Sequence, residues 1–292
     1  MCTSVCLQQL VVGGFERVFE IGKVFRNEGV SPVHHPEFTS VESYQAYTDV
    51  RGVMHMTQRL LAHVCTAALG CSQAPLRPSF MTEAARAWAH GQGGAGGGIM
   101  VDFAQPFAEL HIPTELGKIL GRPLPDSRSA SAAQELLQLC RQHGVPVAEP
   151  HTAARLLDAM IGHWLEPQCI QPTFITGHPV ALSPLAKQEH PESDCTERFE
   201  LFVGGREIAN AYSELNDPEE QARRFEAQSS AREEGGDEEA HGKDDDFVAA
   251  LRHGLPPTGG FGLGIDRFVM LLTGAEHLRD VLAFPINRPR EQ

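Results

Sequence analysis

Long apolar runs are what this sequence lacks most clearly. No stretch approaches the ~18 consecutive apolar residues of a membrane-crossing helix, so no segment reads as one. The opening "MCTSVCLQQL" is short and lacks the cationic region of a secretory signal. Cysteine pairing is also missing. The seven cysteines, Cys2, Cys6, Cys65, Cys71, Cys140, Cys169 and Cys195, are odd in number and scattered. They form no CxxC or other zinc-site spacing and read as reduced intracellular thiols. Positive charge is in deficit, with 24 Lys and Arg against 38 Asp and Glu and a net charge of −14. Such a field repels polyphosphate, so any nucleic-acid contact has to use a local basic patch or enclosed arginines. These absences lead us to expect a soluble chain, cytoplasmic or else organellar, without a membrane partner.

What is present falls into three regions of a 292-residue chain, long enough for a substantial core. From Val11 to Thr48 alternating segments with aromatics, "RVFEIGKVFRNEG" and "EFTSVESYQAY", fit two antiparallel strands joined by a loop. From Arg51 to about Leu69 the spacing of Val53, Met56, Leu60 and Val64 turns helical. The middle, about 70–147, reads as a flexible insert. Its "GQGGAG" follows an Ala-rich helical stretch and precedes a strand, the reverse of the strand-turn-helix order of a dinucleotide site. Beyond His151 lie a helix, "TAARLLDAMIGHWL", and two strands about Gly204-Gly205. A helix capped by Asp217 with Pro218 at its first position follows. The acidic "REEGGDEEAHGKDDD" reads as a solvated loop.

The hairpins carry candidate chemistry. With a two-residue turn, Val203 pairs with Arg206 and Phe202 with Glu207, placing Glu200, Phe202 and Glu207 on one face. Glu200 then lies diagonal to Glu207, about 7–8 Å away at the backbone. Two such carboxylates either grip a hard divalent ion or form a solvated acidic face. In the first hairpin Glu42 and Tyr44 share a face, and Arg26, Asn27 and Glu28 end the preceding strand, with His34 and His35 in the loop. An arginine there either clamps a phosphate or pairs at the surface. Near the C-terminus "GGFGLGIDRFVMLL" places four glycines within six residues ahead of Asp266 and Arg267. Such glycines mark a tight turn or a bound ligand, and the arginine is a candidate anion holder.

"FRNEG" followed by "HHPEFTSVESYQAY" resembles motif 2 of class II aminoacyl-tRNA synthetases, and "GGFGLGIDRFVMLLTGAEHLRDVLAFP" resembles their motif 3. "PTFITGHPVALSPLAK", "TERFELFVGGREIANAYSELNDP" and "GLPPTGG" are similar to lysyl-tRNA synthetases in particular. The resemblance implies an α+β fold, an antiparallel β-sheet flanked by helices, for a class II catalytic domain over residues 1–292. It implies that lysine and ATP form lysyl-adenylate and that tRNA(Lys) accepts the lysine. Arg26 would hold the α-phosphate and Arg267 the γ-phosphate, both as catalytic residues. Glu28 would face the adenine, and His34 and His35 would lie along the ATP. Glu207, Ile208, Gly264 and Asp266 would complete the ATP contacts, with Asp266 orienting its turn. Glu200 and Glu207 would hold Mg2+, and Glu42, Tyr44, Asn210 and Glu214 would line the lysine pocket.

The chain departs from the family at its start. The family's N-terminal anticodon-reading OB-fold and motif 1, which builds the homodimer seam, have no counterpart here, and a pocket glutamate of the family aligns with Ser4. A usual asparagine is His35. Two other readings therefore stand beside the first: a stand-alone paralogue that passes its amino acid to a protein, and a non-catalytic interaction protein that keeps the fold.

Overall fold

The computed structural model describes residues 3–26, 31, 34–92, 98–235 and 244–285. The chain runs α1 (Thr3–Val12), β1 (Arg17–Phe25), β2 (Glu37–Ala46), α2 (Val50–Leu69), β3 (Gln73–Leu76) and α3 (Glu83–Gly91). It continues through β4 (Ile99–Asp102), β5 (Ala108–His111), α4 (Ile112–Leu120), α5 (Ala132–His143), α6 (Ala153–Trp164) and β6 (Thr173–Thr176). The rest is β7 (Arg198–Val203), β8 (Arg206–Ser213), α7 (Pro218–Gly235), α8 (Asp245–Leu251), β9 (Thr258–Gly264) and α9 (Ile265–Thr273).

Seven strands form one sheet in the order β1-β2-β9-β8-β7-β6-β5, antiparallel except for the parallel pair β5 and β6 at one edge. The fold is α+β, and that edge pair makes the sheet mixed where the sequence implied a wholly antiparallel one. Strand alternation then divides the side chains. Phe174, Phe199, Leu201, Val203, Ala209, Ala211, Phe261 and Leu263 point to one face and pack with α2 and α9 in the largest core. The other face bears two smaller cores: α4, α5 and α6 around Ile112, Leu136 and Leu157, and α1, α7 and α8 around Leu7, Phe225 and Val248.

Several local features follow from their physical causes, and the Asp217 cap and the turn at Gly204-Gly205 were expected. Asp49 caps α2, accepting from the Gly52 amide at 2.8 Å, and Thr152 caps α6 in the same way. Asp217 Oδ1 accepts from the amides of Glu219 and Glu220 at the start of α7. Gly204 and Gly205 both take positive φ, 60° and 73°, as the tight turn between β7 and β8 requires.

Elsewhere the structure differs. Val11 closes a helix instead of opening a strand, because Leu7 and Val11, one helical turn apart, both bury against β2 and α8. Residues 70–147 carry β3 to β5 and α3 to α5 where a flexible insert was expected; β5 joins the main sheet, and Leu116, Leu136 and Leu139 are core. The acidic stretch begins inside α7, which runs to Gly235, and ends in α8. The glycine-rich run before α9 is no turn: it is the strand β9, with Phe261 and Leu263 alternating into the core.

Candidate active site

Between the two smaller cores the sheet floor opens into a cavity of about 760 Å³. Its walls gather Arg26, His34, His35, Glu42, Tyr44, Glu207, Ile208, Asn210, Glu214, Gly264, Asp266 and Arg267. Glu28 lies outside the described residues, and Glu200 stands behind the lining. Register explains the floor. Tyr44 pairs with Gly260 and Glu42 with Gly262 across β2 and β9, while Tyr212 and Asn210 meet the same glycines from β8. Gly260, Gly262 and Gly264 therefore present no side chain to the cavity while their neighbours fill the core behind. Glycine at 260 is dictated by close approach, since a Cβ there would overlap Glu214 Oε1 and the Tyr44 ring.

One end of the cavity is acidic and buried. Glu214 is 3% exposed; Gln8 Nε2 donates to its Oε2 at 2.5 Å, and its Oε1 has no partner. Burial pushes its carboxyl well above the usual range, with the charge of Glu42 adding to the rise. Ser4 Oγ donates to Glu42 Oε2 at 2.7 Å. Burial likewise raises the Tyr44 hydroxyl, followed by the charge of Glu214. A buried carboxylate oxygen with no donor is costly, and a cation brought to it removes that cost.

The other end is cationic and more open. Arg267 Nη1 donates to the Glu207 carbonyl at 2.9 Å and to Glu207 Oε2 at 3.3 Å, and its Nη2 lies 3.3 Å from His34 Nε2. Arg26 stacks over the Phe38 ring, 5.4 Å from its centroid. Asp266 does not face this end with its charge: its Oδ2 accepts from the Thr39 amide at 2.6 Å and fastens the start of α9 to β2. His35 is buried, with Nδ1 2.6 Å from the Glu37 carbonyl oxygen.

A cationic end across a glycine floor from an acidic end is the charge pattern of a site for a polyphosphate and an amine. A family model for tRNA synthetases class II (D, K and N) matches residues 1–288. The chain belongs to that family. It is 42% identical over 97% of its length to a probable lysine–tRNA ligase, cytoplasmic, of Vairimorpha ceranae, covering 53% of that relative. It is 44% identical over 97% to a protein of the same description from Encephalitozoon cuniculi, covering 54%. It is 44% identical over 98% to a lysine–tRNA ligase of Shouchella clausii, covering 52%. The class II chain thus spans about half the length of the relatives it matches.

In this class II chain the pairings expected at the two-glycine turn are present, and a bulge that was not expected follows them. Val203 pairs with Arg206 and Phe202 with Glu207, but a bulge at Ile208 shifts the ladder so that Glu200 faces Asn210. The extra residue leaves Glu207 and Asn210 on the same side of β8, although three positions apart. Glu200 is clamped: Arg198 Nη2 donates to its Oε1 at 2.5 Å, and His178 Nε2 lies 3.4 Å from its Oε2. Burial opposes its charge, yet Arg198 and then His178 hold its carboxyl down at about 2. Burial and then the charge of Glu200 raise Glu207, against Arg267, Arg198 and Arg26. Glu207 is 38% exposed to the cavity, and that solvent contact moderates the rise.

Among the described residues no three His, Cys, Asp or Glu side chains come together as a metal cage. Magnesium needs only one or two carboxylates beside substrate phosphates. Glu207, a hard oxygen donor on the cavity wall, fits that demand, and Glu200 stands behind it with its oxygens on Arg198 and beside His178. Sequence reasoning missed Gln8, Arg198, His178 and Glu166. Burial, followed by the charges of Glu200, Asp158 and Glu207, pushes the Glu166 carboxyl up to about 8. Gln8 lies one position past Leu7 on the overlooked helix α1, while His178 and Arg198 fall inside the lysyl-type stretches quoted above without a sign of their roles.

Proposed function

We propose that the chain, as one catalytic domain, activates lysine with ATP and transfers it to tRNA(Lys), a reading supported by relatives named lysine–tRNA ligase. The unpartnered, buried Glu214 Oε1 carries this reading, because it wants an ammonium at the far end of a cavity whose mouth holds two arginines. Glu42, Tyr44 and Glu214 would receive the amino groups of lysine. Arg26 would hold the α-phosphate and Arg267 the γ-phosphate, with Glu28, His34, His35, Glu207 and Ile208 along the nucleotide and Gly264 beneath it. Asp266 would serve by fixing the start of α9.

The lysine carboxylate would attack the α-phosphorus in line as pyrophosphate leaves, with no covalent enzyme intermediate. Charge growing on the phosphate oxygens would be met by Arg26. Magnesium, held by Glu200 and Glu207, would supply charge neutralisation at the phosphates. A cytoplasmic setting accords with two relatives named as cytoplasmic. Phe19, Ile21 and Phe25 are 71%, 61% and 71% exposed along the edge strand β1, an apolar edge that a homodimer of the family's kind would cover. Transfer to a protein and a purely structural role are not favoured by the relatives, which are named lysine–tRNA ligase.

Lysine-dependent exchange of pyrophosphate into ATP tests the reading. Arg26→Ala is expected to lower the rate by at least two orders of magnitude, since losing one transition-state donor costs ~2.7–4 kcal/mol. A variant that keeps more than about a tenth of the rate removes Arg26 from that role.

A further inference from the structure

Arg198 stands in β7 two residues before Glu200 and touches neither proposed substrate. Its guanidinium nevertheless meets four groups from three parts of the chain. Nε donates to Asn210 Oδ1 at 3.1 Å, and Nη2 donates to Glu200 Oε1 at 2.5 Å. Nη1 donates to the Leu182 carbonyl at 2.6 Å and to Ser183 Oγ at 2.9 Å. The side chain is 13% exposed. The loop that receives Nη1 is itself secured from α7, where Arg224 Nη1 donates to the carbonyls of Ser183 at 3.2 Å and Ala186 at 2.8 Å. The plane of the Arg198 fork is therefore set by a rigid neighbour on one side and a buried carboxylate on another.

A side-chain amide has one acceptor end and one donor end. With the Asn210 oxygen accepting from Arg198, its NH2 is the end left for the cavity, and an NH2 recognises an anionic or carbonyl oxygen, never an ammonium. Were the amide turned over, its NH2 would face the guanidinium, donor against donor.

We propose that Arg198 is a positioning residue that fixes the Asn210 amide with its donors toward the cavity, so that this position selects an amino acid's carboxylate over a bare amine. The inference rests on the lysine reading of the cavity. Lysine in place of Arg198 keeps a positive charge beside Glu200 but loses the planar fork, so it cannot also hold Asn210. Arg198→Lys thus separates orientation from charge.

The test is calorimetric binding of L-lysine and of 1,5-diaminopentane, which has two ammonium groups and no carboxylate, to the full chain. Arg198→Lys, with melting temperature followed alongside, is expected to weaken L-lysine about tenfold or more while leaving diaminopentane within about twofold, the scale of a lost hydrogen bond to a charged group. Equal weakening of both ligands, or of neither, overturns the proposal. Should that variant fail to fold, Asn210→Ala carries the decision: it is to abolish the same preference, and a preference that survives overturns the proposal. In the double variant the two losses are to be non-additive, because both act through one amide. A wild-type chain that binds neither ligand overturns the lysine reading together with this one, whereas binding of both with an indifferent Arg198→Lys overturns this one alone.

Discussion

The two ends of the cavity are built by opposite means. The acidic end is sheet and helix: Glu214, Tyr44 and Gln8 are 3%, 5% and 3% exposed, and their positions follow from the register of β2, β8 and β9 with α1 across them. The cationic end is terminus and loop: Arg26 follows the last residue of β1, Arg267 opens α9, and His34 lies in the connection between β1 and β2. A rigid, desolvated end can discriminate between small ligands, because each unpaired group there is costly. An end of long side chains that reach across open space suits a flexible, highly charged ligand whose own oxygens organise the contacts. The contrast assigns recognition to one end and charge neutralisation to the other.

Removing the charge at the rigid end breaks the comparison most sharply. Glu214→Gln keeps the shape and the neighbour Gln8 but leaves an amide where a cation needs a carboxylate. L-lysine affinity is expected to fall roughly 10- to 100-fold, from a charge-assisted bond of about 1.5–3 kcal/mol, with ATP affinity unchanged. Stability is expected to hold or rise, since burial already disfavours this carboxylate in the free protein. Isothermal titration with each ligand and a thermal melt read the three quantities. Loss of ATP binding along with lysine would show that the ends are not separate.

The same contrast explains what the sequence disclosed. Arg26 and Arg267 lie beside element ends, where Pro, Gly and cap signals announce a boundary, and the pairing of Phe202 with Glu207 follows from a two-glycine turn. The bulge at Ile208 left no comparable sign, because Ile208 and Ala209 suit a regular ladder equally well; yet that bulge puts Asn210 and Glu207 on one side. Arg198 was illegible for a related reason. Its role lies in contacts with residues 182, 183, 200 and 210, and only the folded sheet brings these together. The strand β9 misled in the opposite direction: four glycines look like a turn, whereas packing of Phe261 and Leu263 overrides their poor strand propensity.

Glycine substitutions on the floor sharpen the boundary between the ends. Gly260→Ala places a methyl against Glu214 Oε1 and the Tyr44 ring, and overpacking of this kind costs about 1–3 kcal/mol. Gly262→Ala meets only the Asn210 carbonyl oxygen, at 3.7 Å, an ordinary contact. The first is expected to lower the melting temperature and weaken lysine. The second is expected to leave the melting temperature unchanged and weaken ATP, whose path it narrows. A reversal of these two outcomes would place the nucleotide over Gly260 and move the boundary.

The smallest expected effect is the most specific to the acidic end. Because burial raises the Glu214 carboxyl, the folded free protein keeps its proton there to a higher pH than the unfolded chain does. The sign follows: the folded state binds more protons than the unfolded, so this group's contribution to stability is full below the ordinary carboxylate pKa of about 4.3 and declines as pH rises through the raised folded value. An arriving ammonium favours the charged form and expels the proton, so lysine should bind more tightly as pH rises. The gain is at most about tenfold per pH unit, the limit for one proton. Calorimetry in two buffers of different ionisation enthalpy counts the proton released. Lysine binding to wild type should show it, whereas ATP binding and Glu214→Gln should not. Release of an equal proton by ATP would mean that the proton is not specific to the acidic end.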